Sequence, residues 1–450
     1  MSRYHRLKNH KLTIPMFTLV AFCIIGCSYT PNSTIVANEN LTQYNPKDFS
    51  TKSTVPTTTA KANEEWIMKA IWYEQQGDFV NSNLYYAKLY ETTQSDEYLI
   101  QELTTALYSG KGSNNLSKLE NYVQKNPQNV QGERLLISFY LNEKKYNEAK
   151  GITKQLLSHS TQPIDFELSA NPYILSGDYK EGVKLLEEAY NKTFNEDILL
   201  KITTLLASYI GDVDGAVQYL ESHRHIHECS EKICLQLVEI YSKQQKVKEL
   251  IDVYQDLYEE THKEVYAEKL IETYLYAKEY APAIVFLQSE YKNDELLYEL
   301  YLEKHDYVKA EMVADKLYKD TGNAKWIAES AMAQYENATD KNDAVMLQKV
   351  VNKFEEALSK KIDDSIYLNY YGYTLIDKNI DIQKGIDIIE KALKQQPDNS
   401  YYLDSLAWGY FKLGNCEKAY SNMKRVVEIE GLDEDEIRGH WNAIDQKCKK

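Results

Sequence analysis

The chain has 450 residues, 27% charged and 43% hydrophobic, which fits a folded protein and excludes a wholly disordered one. Its formal charge is −16, and removing the four basic side chains of residues 1–26 (Arg3, Arg6, Lys8, Lys11) leaves −20. A surface of that sign repels nucleic acid and anionic headgroups, which argues against both as partners and admits a basic one. Gly (17) and Pro (9) are scarce, as a nearly all-helical chain requires, and Tyr (38) far outnumbers Phe (10). Many of the large side chains therefore join an apolar ring to a polar tip.

In chain order, a basic stretch from Arg3 to Lys11 leads into an apolar run of 14 residues, Leu12 to Ile25, interrupted by Pro15. That run is short for a membrane span and reads as a secretory signal. It ends in Ile24-Ile25-Gly26-Cys27, which resembles the bacterial lipoprotein box, an aliphatic and a small residue leading to cysteine. The resemblance implies that residues 1–26 are removed and that the Cys27 thiol receives diacylglycerol. Ile24 stands where the usual pattern has Leu. The alternatives are an ordinary signal peptide or an uncleaved anchor. Acyl chains on Cys27 would hold the protein at a bilayer, each buried CH₂ contributing roughly 0.8 kcal/mol. Ser28 is not the acidic residue that commonly signals inner-membrane retention, so in a cell with two membranes the outer one is expected. Residues 27–62 are rich in Ser, Thr, Asn and Pro and are expected to be the lipidated cysteine and a disordered tether. A coil of that length spans roughly 30 Å.

From residue 63 to 431 a spacing of 34 residues recurs: Ala392 and Pro397 correspond to Val426 and Gly431. Between Tyr401 and Met423, Leu403, Leu406, Ala407 and Tyr410 recur at helical spacing. Leu413-Gly414-Asn415 then makes a turn, and Ala419 and Met423 restart the helix. This resembles the tetratricopeptide repeat (TPR), in which a small residue on helix A lets helix B approach closely. Gly372 and Ala392 fit the preceding unit. Trp66, Ala70, Tyr73 and Gly77 open the array, and Tyr140, Tyr173, Gly211, Tyr241, Tyr274 and Tyr301 mark units between. The expectation is an all-α, right-handed superhelical solenoid of about eleven such units, since a helix pair buries its apolar stripe only against the next pair. Residues 432–450 would add a capping helix whose acidic start suits the helix dipole. Pro172 falls inside a helix A and should kink it, whereas Pro282 sits near a helix start.

No catalytic signature is found, and no cofactor or metal is expected. Gly110-Lys111-Gly112-Ser113 lacks the first glycine of a phosphate loop, and Asp212-Val213-Asp214-Gly215 lacks the glutamate of a calcium loop; both read as turns. Four cysteines remain after Cys27. Cys416 and Cys448 would be joined if the terminal helix folds back on the last unit, and Cys229 and Cys234 could bridge across a helix start. The alternative is unpaired thiols. His223-Arg224-His225-Ile226-His227 beside Cys229 has zinc-ligand residue types but no second ligand set, and reads as a solvated connection. Glu239, Glu272 and Glu299 fall at equivalent inner positions of helix A in consecutive units, with Glu268 and Glu295 one turn earlier. They would suit a basic peptide or protein, or simply form a polar helix face. Tyr373 and Trp408 hold that inner position in the last units, either as binding anchors or as inter-repeat packing. The expected function is a lipid-anchored envelope scaffold that binds proteins. The alternative is an accessory module that recruits a polysaccharide or peptidoglycan enzyme.

Overall fold

The computed structural model describes residues 57–110 and 115–449. The signal segment, Cys27 and residues 111–114 lie outside them. Among the described residues there are 23 helices and no strand. None is long and apolar enough to cross a membrane. The chain divides into two compact units at Leu270/Ile271.

In the unit that ends at Leu270, the helices begin with α1 (Thr57–Gln75), α2 (Phe79–Thr93), α3 (Asp96–Tyr108) and α4 (Leu116–Lys125). Next come α5 (Val130–Asn142), α6 (Tyr146–Leu157), α7 (Pro163–Leu175) and α8 (Tyr179–Thr193). Then follow α9 (Glu196–Thr204), α10 (Val213–His227), α11 (Glu231–Gln244) and α12 (Val247–Thr261). The boundary falls within α13 (Glu264–Tyr276), after which come α14 (Tyr280–Ser289), α15 (Asp294–Glu303) and α16 (Tyr307–Thr321). The rest are α17 (Lys325–Asn337), α18 (Ala344–Ser359), α19 (Ser365–Asp377), α20 (Ile382–Gln395), α21 (Ser400–Lys412), α22 (Cys416–Glu430) and α23 (Asp435–Cys448). Eleven helix pairs and one terminal helix result, a TPR-like solenoid.

The turn inside each pair has a repeated construction. Helix A ends with a left-handed residue, Gly77 (φ 72°), Gly177 (φ 84°) or Gly414 (φ 76°), where glycine avoids the Cβ clash. The next N–H then bonds back to a tyrosine carbonyl: Asp78 to Tyr73 at 2.9 Å, Asp178 to Tyr173 at 2.8 Å and Asn415 to Tyr410 at 2.9 Å. Asp78 and Asn415 cap the following helix, accepting from the Asn81 N–H at 3.1 Å and the Lys418 N–H at 3.2 Å. Lys144 and His305 take the left-handed role without being glycine, both at φ 56°.

Close approach explains the small residues on helix A. A Cβ added to Gly385 on α20 would lie 2.6 Å from the Gly372 carbonyl oxygen on α19, so these two backbones meet at glycines. Gly409 on α21 seats Ile386 and Ile376 of the preceding unit, whose atoms would lie 2.7 and 2.8 Å from its Cβ.

Tyrosine hydroxyls then tie unit to unit. Tyr140 donates to Glu120 at 2.9 Å, Tyr241 to Glu221 at 2.6 Å and Tyr410 to Glu390 at 2.8 Å, each pair 20 residues apart. In all three, helix A reaches the helix B before it. Fully buried Glu329 on α17 accepts from Tyr298 on α15 at 2.6 Å and Tyr367 on α19 at 2.8 Å.

Two expectations need correction. Helix α1 begins at Thr57, inside the stretch assigned to the tether. Ala60, Lys61 and Ala62 are strong helix formers, and helix propensity carries the pattern past the point where apolar periodicity stops. The segment His223 to His227 is the last turn of α10 and not a connection. Pro172 lies buried inside α7, and Pro282 is in the first turn of α14.

Burial, followed by the Glu390 charge, pushes the Tyr410 phenol up to about 12 from its ordinary 10. The Tyr140 and Tyr241 phenols are raised further by burial and by Glu120 and Glu221 respectively. A raised folded-state pKa contributes stability that is intact below pH 10 and is lost as pH rises through the folded value. Alkaline titration should therefore show helix loss and phenolate absorbance rising together between pH 10 and about 12. Complete tyrosine ionisation with intact helical circular dichroism would contradict this.

Candidate functional site

The inner-position glutamates divide between the units. Glu239 and Glu268 precede Leu270, while Glu272, Glu295 and Glu299 follow it. Glu239, Glu268, Glu295 and Glu299 are exposed and Glu272 is half-buried. Glu239 holds Lys243 at 2.6 Å, one turn along its own helix, and Glu295 lies 3.7 Å from Lys325. Exposed pairs of this kind contribute about 0–1 kcal/mol and are readily exchanged for a partner's cations.

Tyr373 and Trp408 are placed differently from an open-groove anchor, and this corrects the groove assignment for both. The helix after the last pair enters the position that the next helix A would take, so α23 covers them. Tyr373 donates to Glu436 on α23 at 2.6 Å. Trp408 stacks on His440 of α23 with ring centroids 4.1 Å apart and planes 17° from parallel. His440 Nδ1 lies 2.8 Å from a carboxylate oxygen of fully buried Asp404. Sequence periodicity cannot reveal this cluster, because its contacts join residues 32 to 63 positions apart across three helices.

Cys416 and Cys448 form a disulfide with Cα atoms 4.9 Å apart, joining the start of α22 to the end of α23. Cys229 and Cys234 form a second, with Cα atoms 5.6 Å apart, across the start of α11. Both thiols are thereby withdrawn from the Cys229–Cys234–Asp256 grouping that has metal-ligand residue types. Of the neighbouring histidines, His223 packs inside the fold while His225 and His227 are exposed. His223 is buried, and its Nδ1 lies 2.7 Å from the Tyr190 hydroxyl. Burial, then the neighbouring His227, pushes the His223 imidazole below its ordinary value. The His227 ring lies against those of His223 and Phe194, with centroids 4.9 and 4.8 Å away and planes tilted by 38° and 42°. Asp212 is a helix cap, its carboxylate accepting the Gly215 N–H at 2.9 Å.

An acidic cleft on α10 to α12, lined by Glu221, Glu249, Asp252 and Asp256, was not singled out in the sequence. Its cation, Arg224, is held by Asp256 at 2.6 Å and by Glu221 at 3.1 Å. The Tyr241 hydroxyl also bonds Glu221, so one wall of the cleft belongs to the clasp between units.

No known family model matches the chain, and no curated protein matches it. Among solved structures it is similar to Naa15/Naa10 bound to HypK-THB, at 10% identity and TM-score 0.32, covering 85% of this chain and 66% of that one. It is also similar to the APC/C hetero-tetramer Cut9–Hcn1, at 10% identity and TM-score 0.34, covering 86% and 98%. A tetratricopeptide repeat protein from Parabacteroides merdae matches at 12% identity and TM-score 0.29, covering 70% and 99%. The class of protein rests on the helix pairs themselves: a TPR-like solenoid with a disulfide-tied terminal helix.

The Cys416–Cys448 loop spans 32 residues, a length at which a disulfide contributes about 2–4 kcal/mol. The variant Cys448→Ser should lose hydrogen-exchange protection across α23 while the helices before Leu270 keep theirs. Unchanged protection of α23 would mean that the His440–Asp404–Trp408 packing holds the helix alone.

Proposed function

We propose that the protein is a lipid-anchored, extracytoplasmic scaffold that recruits a basic protein or peptide to a bacterial envelope assembly. The observation that carries this reading is the array of eleven helix pairs in which Glu239, Glu268, Glu295 and Glu299 are exposed. Within each compact unit a repeat array presents such positions at a regular spacing, which suits an extended ligand more than a small molecule. The acidic surface adds long-range attraction for a cationic partner and discriminates against nucleic acid. Export and anchoring rest on the sequence from Arg3 to Cys27, with the outer membrane favoured by Ser28. The accessory-module alternative drew on open aromatic side chains, and Tyr373 and Trp408 lie under α23.

Two experiments test the parts separately. Palmitate labelling of the expressed chain should be lost in Cys27→Ala, and labelling that persists would refute the anchor. Crosslinked envelopes should yield a basic partner whose affinity for the triple variant Glu239→Lys/Glu272→Lys/Glu299→Lys falls by about tenfold or more at low salt. Equal affinity would remove the glutamates from the binding surface.

A further inference from the structure

On its helix A, the first helix pair exposes apolar side chains at positions that the next units bury, half-bury or make polar. Counting from the left-handed turn residue, Trp72 stands five before Gly77. The same position holds Thr105, Phe139, Pro172, Leu206 and Ile240 in the next five units, and all of these are buried. Trp72 is 56% exposed and Met68, one turn earlier, 69%. Ile71 lies beside them, also exposed, with Val80 and Leu84 exposed on α2. On helix B the corresponding outward positions hold Lys180, Lys184, Lys248 and Asp252 in α8 and α12 but exposed Val285, Val308 and Met312 in α14 and α16, so Met68, Ile71 and Trp72 on helix A are what set this pair apart. The C-terminal end is covered by α23, whereas no described element covers this one. A repeat array needs a polar outer face on its terminal unit to remain in water, so a face of this composition marks a contact.

The place of this face in the chain indicates what covers it. It belongs to the first described helices, next to the segment that leads back to Cys27. A coil of that length would span roughly 30 Å, so an anchored Cys27 would keep this pair near the bilayer. The chain's strong negative charge does not oppose contact here. From Lys61 to Glu91 there are three lysines against five acidic residues, and charges farther away are screened beyond about 8 Å at physiological salt. Tryptophan is also the side chain most suited to the boundary between water and acyl chains.

We infer that Met68, Ile71, Trp72, Val80 and Leu84 form a lipid-contacting face that seats the N-terminal helix pair in the surface of the anchoring bilayer. The inference rests on the anchored reading, and the test supplies its own tether so that the two can fail separately. The chain from Ser28 onward, which keeps every described residue, is held on phosphatidylcholine vesicles by an N-terminal hexahistidine tag and a nickel-chelating lipid. An environment-sensitive fluorophore is attached to Met68→Cys, or to Met312→Cys as an exposed control on α16. Brominated acyl chains should quench the Met68→Cys label by about twofold or more and leave the control unchanged, as shallow interfacial insertion requires. Absence of quenching while the tag holds the protein on the vesicle would overturn the inference. A mass that doubles in sedimentation without lipid, and reverts in Trp72→Ser, would also overturn it and give the face to a second copy. Failure of the anchor itself would appear only in the palmitate experiment.

Discussion

The hydrogen bond from a buried tyrosine hydroxyl to a glutamate on a neighbouring helix is the interaction on which the array depends. A helix pair that stacks only through apolar contact can slide along its neighbour. A phenol that must reach one carboxylate fixes the register, as Tyr140–Glu120, Tyr241–Glu221 and Tyr410–Glu390 do at an identical sequence separation. Tyr73, Tyr140, Tyr241 and Tyr410 also lend their carbonyls to the turn that follows, so one side chain position closes helix A and ties it to the unit before. The abundance of tyrosine over phenylalanine has its cause here. Glu120 and Glu221 are half-buried and Glu390 is exposed, so each bond contributes about 1 kcal/mol and its main effect is on register.

Backbone geometry supplies the second constraint. Helices α19 and α20 meet at Gly372 and Gly385, where neither position has room for a Cβ. Gly409 repeats the device between units, accepting two isoleucines from the preceding pair. Where the turn does not demand glycine, the chain tolerates Lys144 or His305 in the left-handed conformation, because the bond to the tyrosine carbonyl compensates the strain. Period is thus held by contacts, while individual residues drift, which is consistent with a chain that no family model matches.

The terminal units differ from the rest, and function enters through that difference. At the C-terminal end, α23 brings a disulfide and His440, which meets Asp404 and Trp408. The aromatic pair Tyr373 and Trp408 therefore serves cohesion. At the N-terminal end, the same logic leaves Trp72 without a packing partner from a preceding unit. A repeat array needs both ends addressed in this way, since an unpaired repeat face attracts whatever apolar surface is near.

Much of the fold was legible in the sequence because helical repeats are local. The spacing of Ala392, Val426, Gly414 and Tyr410 reports helix, turn and period within a window of a few tens of residues, and eleven pairs follow. The boundary at Thr57 was missed because propensity, not apolar periodicity, carries that turn. The cysteine partners could be named as candidates, but their joining depends on α23 folding back. The glutamate ladder, by contrast, looked continuous in register and is divided between two units. Sequence by itself determined the period, the turns and the acidic character, because each is written in neighbouring residues. Only the tertiary structure decided that Tyr373 and Trp408 are covered, that His440 meets Asp404 and that Trp72 is exposed. Those outcomes depend on which helices are adjacent, and adjacency at the ends of an array is not periodic.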